Sequence, residues 1–383
     1  MTHLSYSLYT SVQELPQEWD RLRKDEFLNL AYLTAQENAL PKNMDVFYIA
    51  VYQLDKLVGK AIVQRVRVQG EEVYRNNPSS MKEELLNLLN INILCLGNLK
   101  LTGEHAYVYD ENVDELEVLS LLKEALNEIR QISKKEKLPI QLMGIKDFYQ
   151  DSKIRVEKIF KDYQAFTVQP NMVFEFRKEW KVFDDYLDAM RTKYRTRAKR
   201  AFKKSEGIVY RELNLEEILR WNNSIYQLYL NVLNNADFSL YQLPENYFVE
   251  MKKQMPNKFK LFGGFKQDSL VSFYSIIENN EQLEAGFLGY DAELQKENQL
   301  YLNLLYQMIT YGIDFGFDSL DLSRTAMEIK SSVGAEPIET FGLLKHTNPW
   351  MNKVLKSIFS KFYQPEEWIQ RSPFKDVDRS LSN

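Results

Sequence analysis

The chain has 383 residues, 44% hydrophobic and 13% aromatic, which is enough apolar surface for a full core and too much for a disordered chain. At roughly 150 residues per domain, the length fits two domains or one large one. A formal net charge of −5 excludes a global field that recruits nucleic acid, and a single cysteine excludes a disulfide framework and a cysteine-built zinc site.

Met1 to Thr10 lacks a basic stretch followed by an apolar one, and no segment reaches the roughly 18 apolar residues that span a bilayer. A cytoplasmic protein with no integral membrane segment is therefore expected. Val46 to Gln53 is an apolar run with strand chemistry, followed by a polar turn at Leu54-Asp55-Lys56 and a second strand, Leu57 to Val68. Ile91 to Gly97 reads as a third strand. Cys95 lies inside it and is expected to be a small buried hydrophobe rather than a nucleophile. A helix follows over about Glu115 to Lys135, then a strand over Pro139 to Met143.

The same order returns later in the chain, at a weak internal repeat. Phe259 to Lys266, the turn Gln267-Asp268-Ser269 and Leu270 to Ile277 form a second predicted hairpin. Asp268 takes the place of Asp55, and Leu270-Val271 that of Leu57-Val58. Gln282 to Gly289 is the counterpart of the third strand, about Asn298 to Phe315 of the helix, and Ser319 to Leu322 of the last strand. In each half, the two strands flanking the helix should be parallel and joined by a right-handed crossover. Between the halves lies a hinge, Phe166 to Asn171. We expect an N-terminal domain over 1–168 and a C-terminal domain over 169–383, with a mostly helical insertion over 183–255.

Four features carry chemistry. The spacing predicts one amphipathic helix over Phe183 to Lys204, with Phe183, Leu187, Met190, Tyr194, Ala198 and Ala201 as its apolar stripe. Around the stripe stand Arg191, Lys193, Arg195, Arg197, Lys199, Arg200, Lys203 and Lys204. Like charges four residues apart repel on a helix, so an anionic partner explains the cluster better than a solvated face does. The helix after the strand ending at Gly289-Tyr290-Asp291 is apolar on nearly every side and so buried. Exposed N–H groups at its start, near Lys296 to Gln299, would favour a phosphate or an oxyanion. The loop from Asp321 to Ala335 follows the last parallel strand, where open α/β sheets gather ligands. Arg324 and Lys330 in it either bind phosphate or an oxyanion, or are ordinary surface charges. Glu284, in mid-strand, is either a buried general base or the partner of an arginine. His3, His105 and His346 are far apart, and neither a metal site nor a histidine-centred triad is expected.

The order hairpin, strand, helix, strand resembles the GNAT acyltransferase core. Two such cores in tandem, the second preceded by a basic helical segment, resemble the FemABX-type transferases. The texts that carry the likeness are Phe27 to Ala39, Tyr186 to Gly207 ("YLDAMRTKYRTRAKRAFKKSEG"), Phe287 to Asp291 with Leu300 to Gly316, and Ile329 to Ala335 ("IKSSVGA"). The likeness spans roughly Asp20 to Gln364. It implies an α/β fold of two tandem GNAT-like cores with a basic helical insertion, and transfer of an acyl or aminoacyl group to an amine. It implies aminoacyl-tRNA or acyl-CoA as donor and an amine-bearing acceptor such as a cell-envelope precursor. Lys330 matches the lysine that contacts the donor and stabilises the oxyanion. Arg195, Arg197, Lys199, Arg200, Lys203 and Lys204 match the basic helix that contacts anionic substrate or tRNA. The segment Leu288 to Lys296 has one glycine where the GNAT pyrophosphate loop has more, which counts against acyl-CoA.

On this reading an amine held between the two modules attacks an ester or thioester carbonyl. Lys330 and backbone N–H groups hold the oxyanion, Glu284 or the substrate takes the proton, Tyr290 and Arg324 contact substrate, and no metal takes part. The rival is a non-catalytic protein that uses the basic helix to bind an anionic nucleotide-sugar or RNA.

Overall fold

The computed structural model describes residues 4–22, 25–69, 90–236, 239–362 and 367–375. His3 and the first residues of the N-terminal stretch lie outside them. In chain order the elements are β1 (Leu4–Tyr9), α1 (Leu30–Asn38), β2 (Met44–Gln53), β3 (Lys56–Gln69), β4 (Asn90–Leu96), β5 (Tyr107–Tyr109), α2 (Glu115–Lys135), β6 (Leu142–Phe148), α3 (Gln150–Ile159) and β7 (Gln164–Thr167). There follow β8 (Asn171–Glu175), α4 (Phe183–Ala189), α5 (Thr192–Lys204), β9 (Ile208–Glu212), α6 (Leu215–Asn234), α7 (Tyr247–Gln254), β10 (Phe259–Lys266), β11 (Ser269–Asn279) and β12 (Gln282–Tyr290). The last are α8 (Ala292–Asn298), α9 (Leu300–Phe315), β13 (Ser319–Asp321), α10 (Met327–Val333), β14 (Glu336–Ile338), β15 (Phe341–His346) and α11 (Pro349–Phe362).

The chain divides into two compact units. The first comprises Met1–Gln169, Ala236–Glu250 and Glu339–Pro365, and the second Pro170–Asn235, Met251–Ile338 and Glu366–Asn383. A single cut at residue 168 therefore does not describe the partition: two later segments fold with the first unit. The reason is a strand pairing that no local pattern announces. β15 inserts between β6 and β7, antiparallel to both, and completes the first sheet.

In the first unit the sheet order is β1-β2-β3-β4-β6-β15-β7, with β5 also pairing to β3. β4 and β6 are parallel. α2 covers the sheet because Val118, Leu119, Leu122, Ala125, Leu126 and Ile129 recur every three or four residues and are all buried. The ends of α2 are set by charge. Asp114 caps the first turn by accepting from the Leu116 N–H at 3.0 Å, Glu115 and Glu117 follow it, and Lys134 and Lys135 stand in the last turn.

In the second unit the order is β14-β8-β13-β12-β11-β10-β9, with β12 and β13 parallel. The repeat extends to fine geometry. The β2–β3 hairpin has a bulge at Val51/Tyr52 and a left-handed Leu54, and the β10–β11 hairpin has a bulge at Gly264/Phe265 and a left-handed Gln267. In both, the bulge lies the same distance ahead of the turn.

Within the insertion, β9 pairs with β10. One expectation needs correction. The basic segment is two helices, because Met190 leaves the helix to form an antiparallel bridge with Phe374. That bridge places the Arg191 N–H on the Pro373 carbonyl and the Lys375 N–H on the Ala189 carbonyl. The buried helix starts within two residues of the expected point: α8 stops at Asn298, Gln299 turns left-handed, and α9 begins at Leu300. α9 itself is buried over nearly its whole circumference, as its composition requires.

α6 lies against β12 at backbone distance, and Gly289 makes this approach possible. A Cβ there would stand 2.4 Å from the carbonyl carbon of Leu228 and 2.5 Å from the Phe273 ring. Backbone cannot swing aside as a side chain can, so Gly289→Ala should destabilise the protein by about 1–3 kcal/mol, seen as a lower urea midpoint.

Candidate active site

β12 and β13 stay in register only from Gln282↔Ser319 to Glu284↔Asp321. β13 ends there, whereas β12 continues to Tyr290. The ladder thus opens at its carboxyl end, past two adjacent buried carboxylates, Glu284 and Asp321. β12 is also distorted at this point. The β11–β12 register slips at Tyr274/Ile276, and the Ser275 hydroxyl donates to the Phe287 carbonyl at 2.9 Å.

The loop beyond β13 is strained and tied from several sides. Ser323, Thr325 and Ala326 all have positive φ, 61°, 66° and 48°, each at a cost of about 1–2 kcal/mol for a residue with a Cβ. Asp321 accepts from the Ser323 N–H at 2.6 Å and from the Asn171 side-chain amide. Lys330, on α10, reaches back across the loop and donates to the carbonyls of Ser323, at 3.2 Å, and Arg324. Its side chain is buried, and burial pushes its ammonium down to about 7, with the charge of Asp321 opposing the fall.

An ammonium has three donors. Two of those on Lys330 serve the loop, and it makes no further hydrogen bond to the described residues. Asn171, which donates to Asp321, is wholly buried, and its side-chain carbonyl has no hydrogen-bond partner among the described residues.

Both helices of the basic segment meet α10, the Tyr186 hydroxyl on α4 donating to the Val333 carbonyl at 2.7 Å. Arg197 on α5 donates to the Ser332 hydroxyl on α10 at 2.9 Å. α5 buries Ala198 and Ala201 and turns Lys199, Arg200, Lys203 and Lys204 to solvent. None of these four forms an ion pair with the described residues, whereas Arg195 pairs with Asp188 at 3.2 Å.

The structure therefore brings Glu284, Asp321, Lys330, the Arg324 backbone and Asn171 to the end of the β12–β13 ladder, with Arg197 against the same helix. It does not bring Tyr290 there, since that residue is six positions along β12 from Glu284, on the order of 20 Å. Half-buried Tyr290 packs edge-on against Tyr301 with ring centres 6.2 Å apart, and burial raises its pKa. The expected exposed N–H groups at the start of α9 are also missing. Leu300 is fully buried, and the Tyr301 N–H donates to the Gln295 side chain at 2.9 Å. At α8, Asp291 takes the N–H groups of Glu293 and Leu294, at 2.8 and 3.1 Å.

The residues missed from the sequence are Asn171 and Asp321. The second had a signal, since a carboxylate at the carboxyl end of a parallel strand stands where ligands gather. Asn171 had none, because its role depends on β8 pairing with β13 across a long stretch of chain.

Of the other reactive groups, Cys95 is buried and its thiol is pushed up to about 12. His105 pairs with Asp25 at 2.8 Å, and His346 accepts from the Asn348 N–H. Among the described residues no His, Cys, Asp and Glu cluster could hold a metal, and no helix is long and apolar enough to cross a membrane.

The Lys330 geometry gives a pH signature. With a folded pKa near 7 and an unfolded one of about 10.4, the unfolded chain binds more protons between those values. Lys330 thus makes stability rise with pH across that window, by at most about 1.4 kcal/mol per unit, and contributes no slope below it. Lys330→Met strands two carbonyls and should be less stable than the parent at about pH 9. The gap should narrow toward neutrality and then level off, as read from denaturant melts at a series of pH values.

No family model and no curated protein matches this sequence. Solved structures do match in fold. FemX superposes with a TM-score of 0.54 at 12% identity, over 92% of this chain and 99% of FemX. A tandem GNAT protein from the clavulanic acid biosynthesis pathway matches at 0.49 and 10% identity, over 91% and 99%. L-PGS from Bacillus licheniformis matches at 0.47 and 10%, over 85% and 95%. Built on two mixed sheets, this chain has a FemX-like α/β fold.

Proposed function

We propose that this protein is an N-acyltransferase whose second unit moves an aminoacyl group from aminoacyl-tRNA to an amine. The observation that carries the reading is α5. Four of its exposed cations, Lys199, Arg200, Lys203 and Lys204, form no ion pair with the described residues, and the same helix grips, through Arg197, the helix that bears Lys330. A phosphodiester backbone running along α5 would neutralise those cations and deliver its esterified end toward α10.

The treatment of backbone amides supports tRNA over acyl-CoA. In the segment joining β12 to α9, the Glu293, Leu294 and Tyr301 N–H groups are already taken by Asp291 and Gln295. A pyrophosphate would meet the Asp291 carboxylate rather than open donors.

In the transfer step the acceptor nitrogen attacks the ester carbonyl and a C–N bond forms. The carbonyl oxygen becomes an oxyanion, and the unspent donor of Lys330 is the group suited to receive it. Collapse breaks the bond to the ribose oxygen. The proton lost by the amine passes by way of Glu284 to the leaving alkoxide. Asp321 favours the charged form of Lys330, as the oxyanion itself would.

The test uses charged and uncharged tRNA with a panel of amines, and acyl-CoA thioesters in parallel. Replacing Lys199, Arg200, Lys203 and Lys204 together by alanine should weaken tRNA binding at least tenfold and flatten its salt dependence by roughly 0.7–0.9 log units per cation removed. Lys330→Met should keep tRNA binding and lose about 10²–10³ in turnover. Turnover with an acyl-CoA and none with aminoacyl-tRNA would overturn the donor. Salt-sensitive RNA binding with no turnover from any donor would leave an anion-binding protein.

A further inference from the structure

We propose that helix α11 seats the protein on an anionic lipid surface, an interaction separate from the transfer reaction. The helix is firmly started. The Asn348 side chain accepts from the N–H groups of Trp350, at 2.9 Å, and Met351, at 3.4 Å. One side is anchored in the first unit, where the Asn352 side chain accepts from the His346 N–H and donates to the Asp162 carbonyl, and Leu355 is buried.

The other side is apolar and open. Trp350 is 80% exposed, Met351 42% and Val354 47%. At about 100° per residue these three fall within an arc of roughly 100°. Scattered apolar residues on a surface need no explanation, but a tryptophan, a methionine and a valine together on one ordered helix face do.

Charge identifies the occupant. Over Pro349–Phe362 the chain has three lysines, Lys353, Lys356 and Lys361, and no Asp or Glu, although the whole protein is acidic. The Lys353 ammonium lies 5.2 Å from the centre of the Trp350 ring, so cation and aromatic share one spot. Tryptophan settles at the boundary between water and acyl chain, and a lysine beside it meets anionic headgroups. A second copy of the chain fits less well. A stable protein interface takes about 800 Å² per partner, and three side chains supply roughly half of that.

The experiment is flotation of the full chain with vesicles of phosphatidylcholine and phosphatidylglycerol in equal parts, against vesicles of phosphatidylcholine alone. Binding is expected to the anionic vesicles only, weakened by salt, with a blue shift of tryptophan emission that Trp350→Phe removes. Trp350→Ser and Lys353→Glu should each weaken binding at least tenfold while leaving aminoacyl transfer to a soluble amine unchanged. These side chains are exposed, so folding is not at stake. Equal flotation with both vesicle types, no flotation with either, an undiminished Trp350→Ser, or a concentration-dependent dimer abolished by that substitution would each overturn the proposal. Transfer activity in the same variants reports separately on the catalytic reading.

Discussion

The ammonium of Lys330 on the carbonyls of Ser323 and Arg324 is the contact on which the second unit's strand end depends. The loop it spans holds three left-handed residues with side chains, and their combined cost of a few kcal/mol requires compensation nearby. The tie also fixes α10 against the end of β13. It thereby sets where Ser332 stands, and with it Arg197 and α5. A single buried cation thus links strand end, loop and basic helix. Its cost is desolvation, which its lowered pKa records, and Asp321 offsets part of that cost.

The protein handles anions in two opposite ways. After its long central strand β12, the chain fills backbone amides from within, using Asp291 and Gln295. Where a helix face normally balances its charges with i, i+4 partners, α5 leaves its cations exposed. One stretch of backbone is thus closed to anions by the chain's own side chains, and another surface keeps cations open to solvent. The same logic applies to α11, where a cationic and apolar face stands on an acidic protein.

Local patterns made much of the fold legible. Both hairpins, both central strands and α2 follow from alternation, turn chemistry and three-to-four spacing. Leu54 and Gln267 take the same left-handed turn because the same polar-turn text precedes Leu57 and Leu270. What escaped was set by distant pairings. The apolar stripe from Phe183 to Ala201 runs through Met190 without interruption, yet the helix stops there because Phe374, far along the chain, bridges it. β15 carries nothing in its six residues to indicate a place beside β6. Glu284 was visible as a carboxylate in mid-strand, Lys330 through a resemblance, and Arg197 as one of eight clustered cations. Asn171 was not, since an asparagine after a proline reads as a turn wherever it occurs.

The two units use the same device at the ends of their parallel strands, and the count of donors separates them. In the first unit Lys146, on β6, crosses the loop after β4 and donates to the carbonyls of Asn98, at 3.1 Å, and Leu101, at 2.6 Å. It also donates to Asp147, a left-handed residue beside it. All three of its donors are therefore spent, and a carboxylate sits on the last of them. Lys330 makes the first two bonds and not the third; its nearest carboxylate, Asp321, is instead occupied by Asn171 and the Ser323 N–H. A saturated ammonium can hold a loop but has nothing to offer a developing oxyanion. An ammonium with one donor in reserve can do both, and this difference favours the second core as the seat of the proposed transfer chemistry.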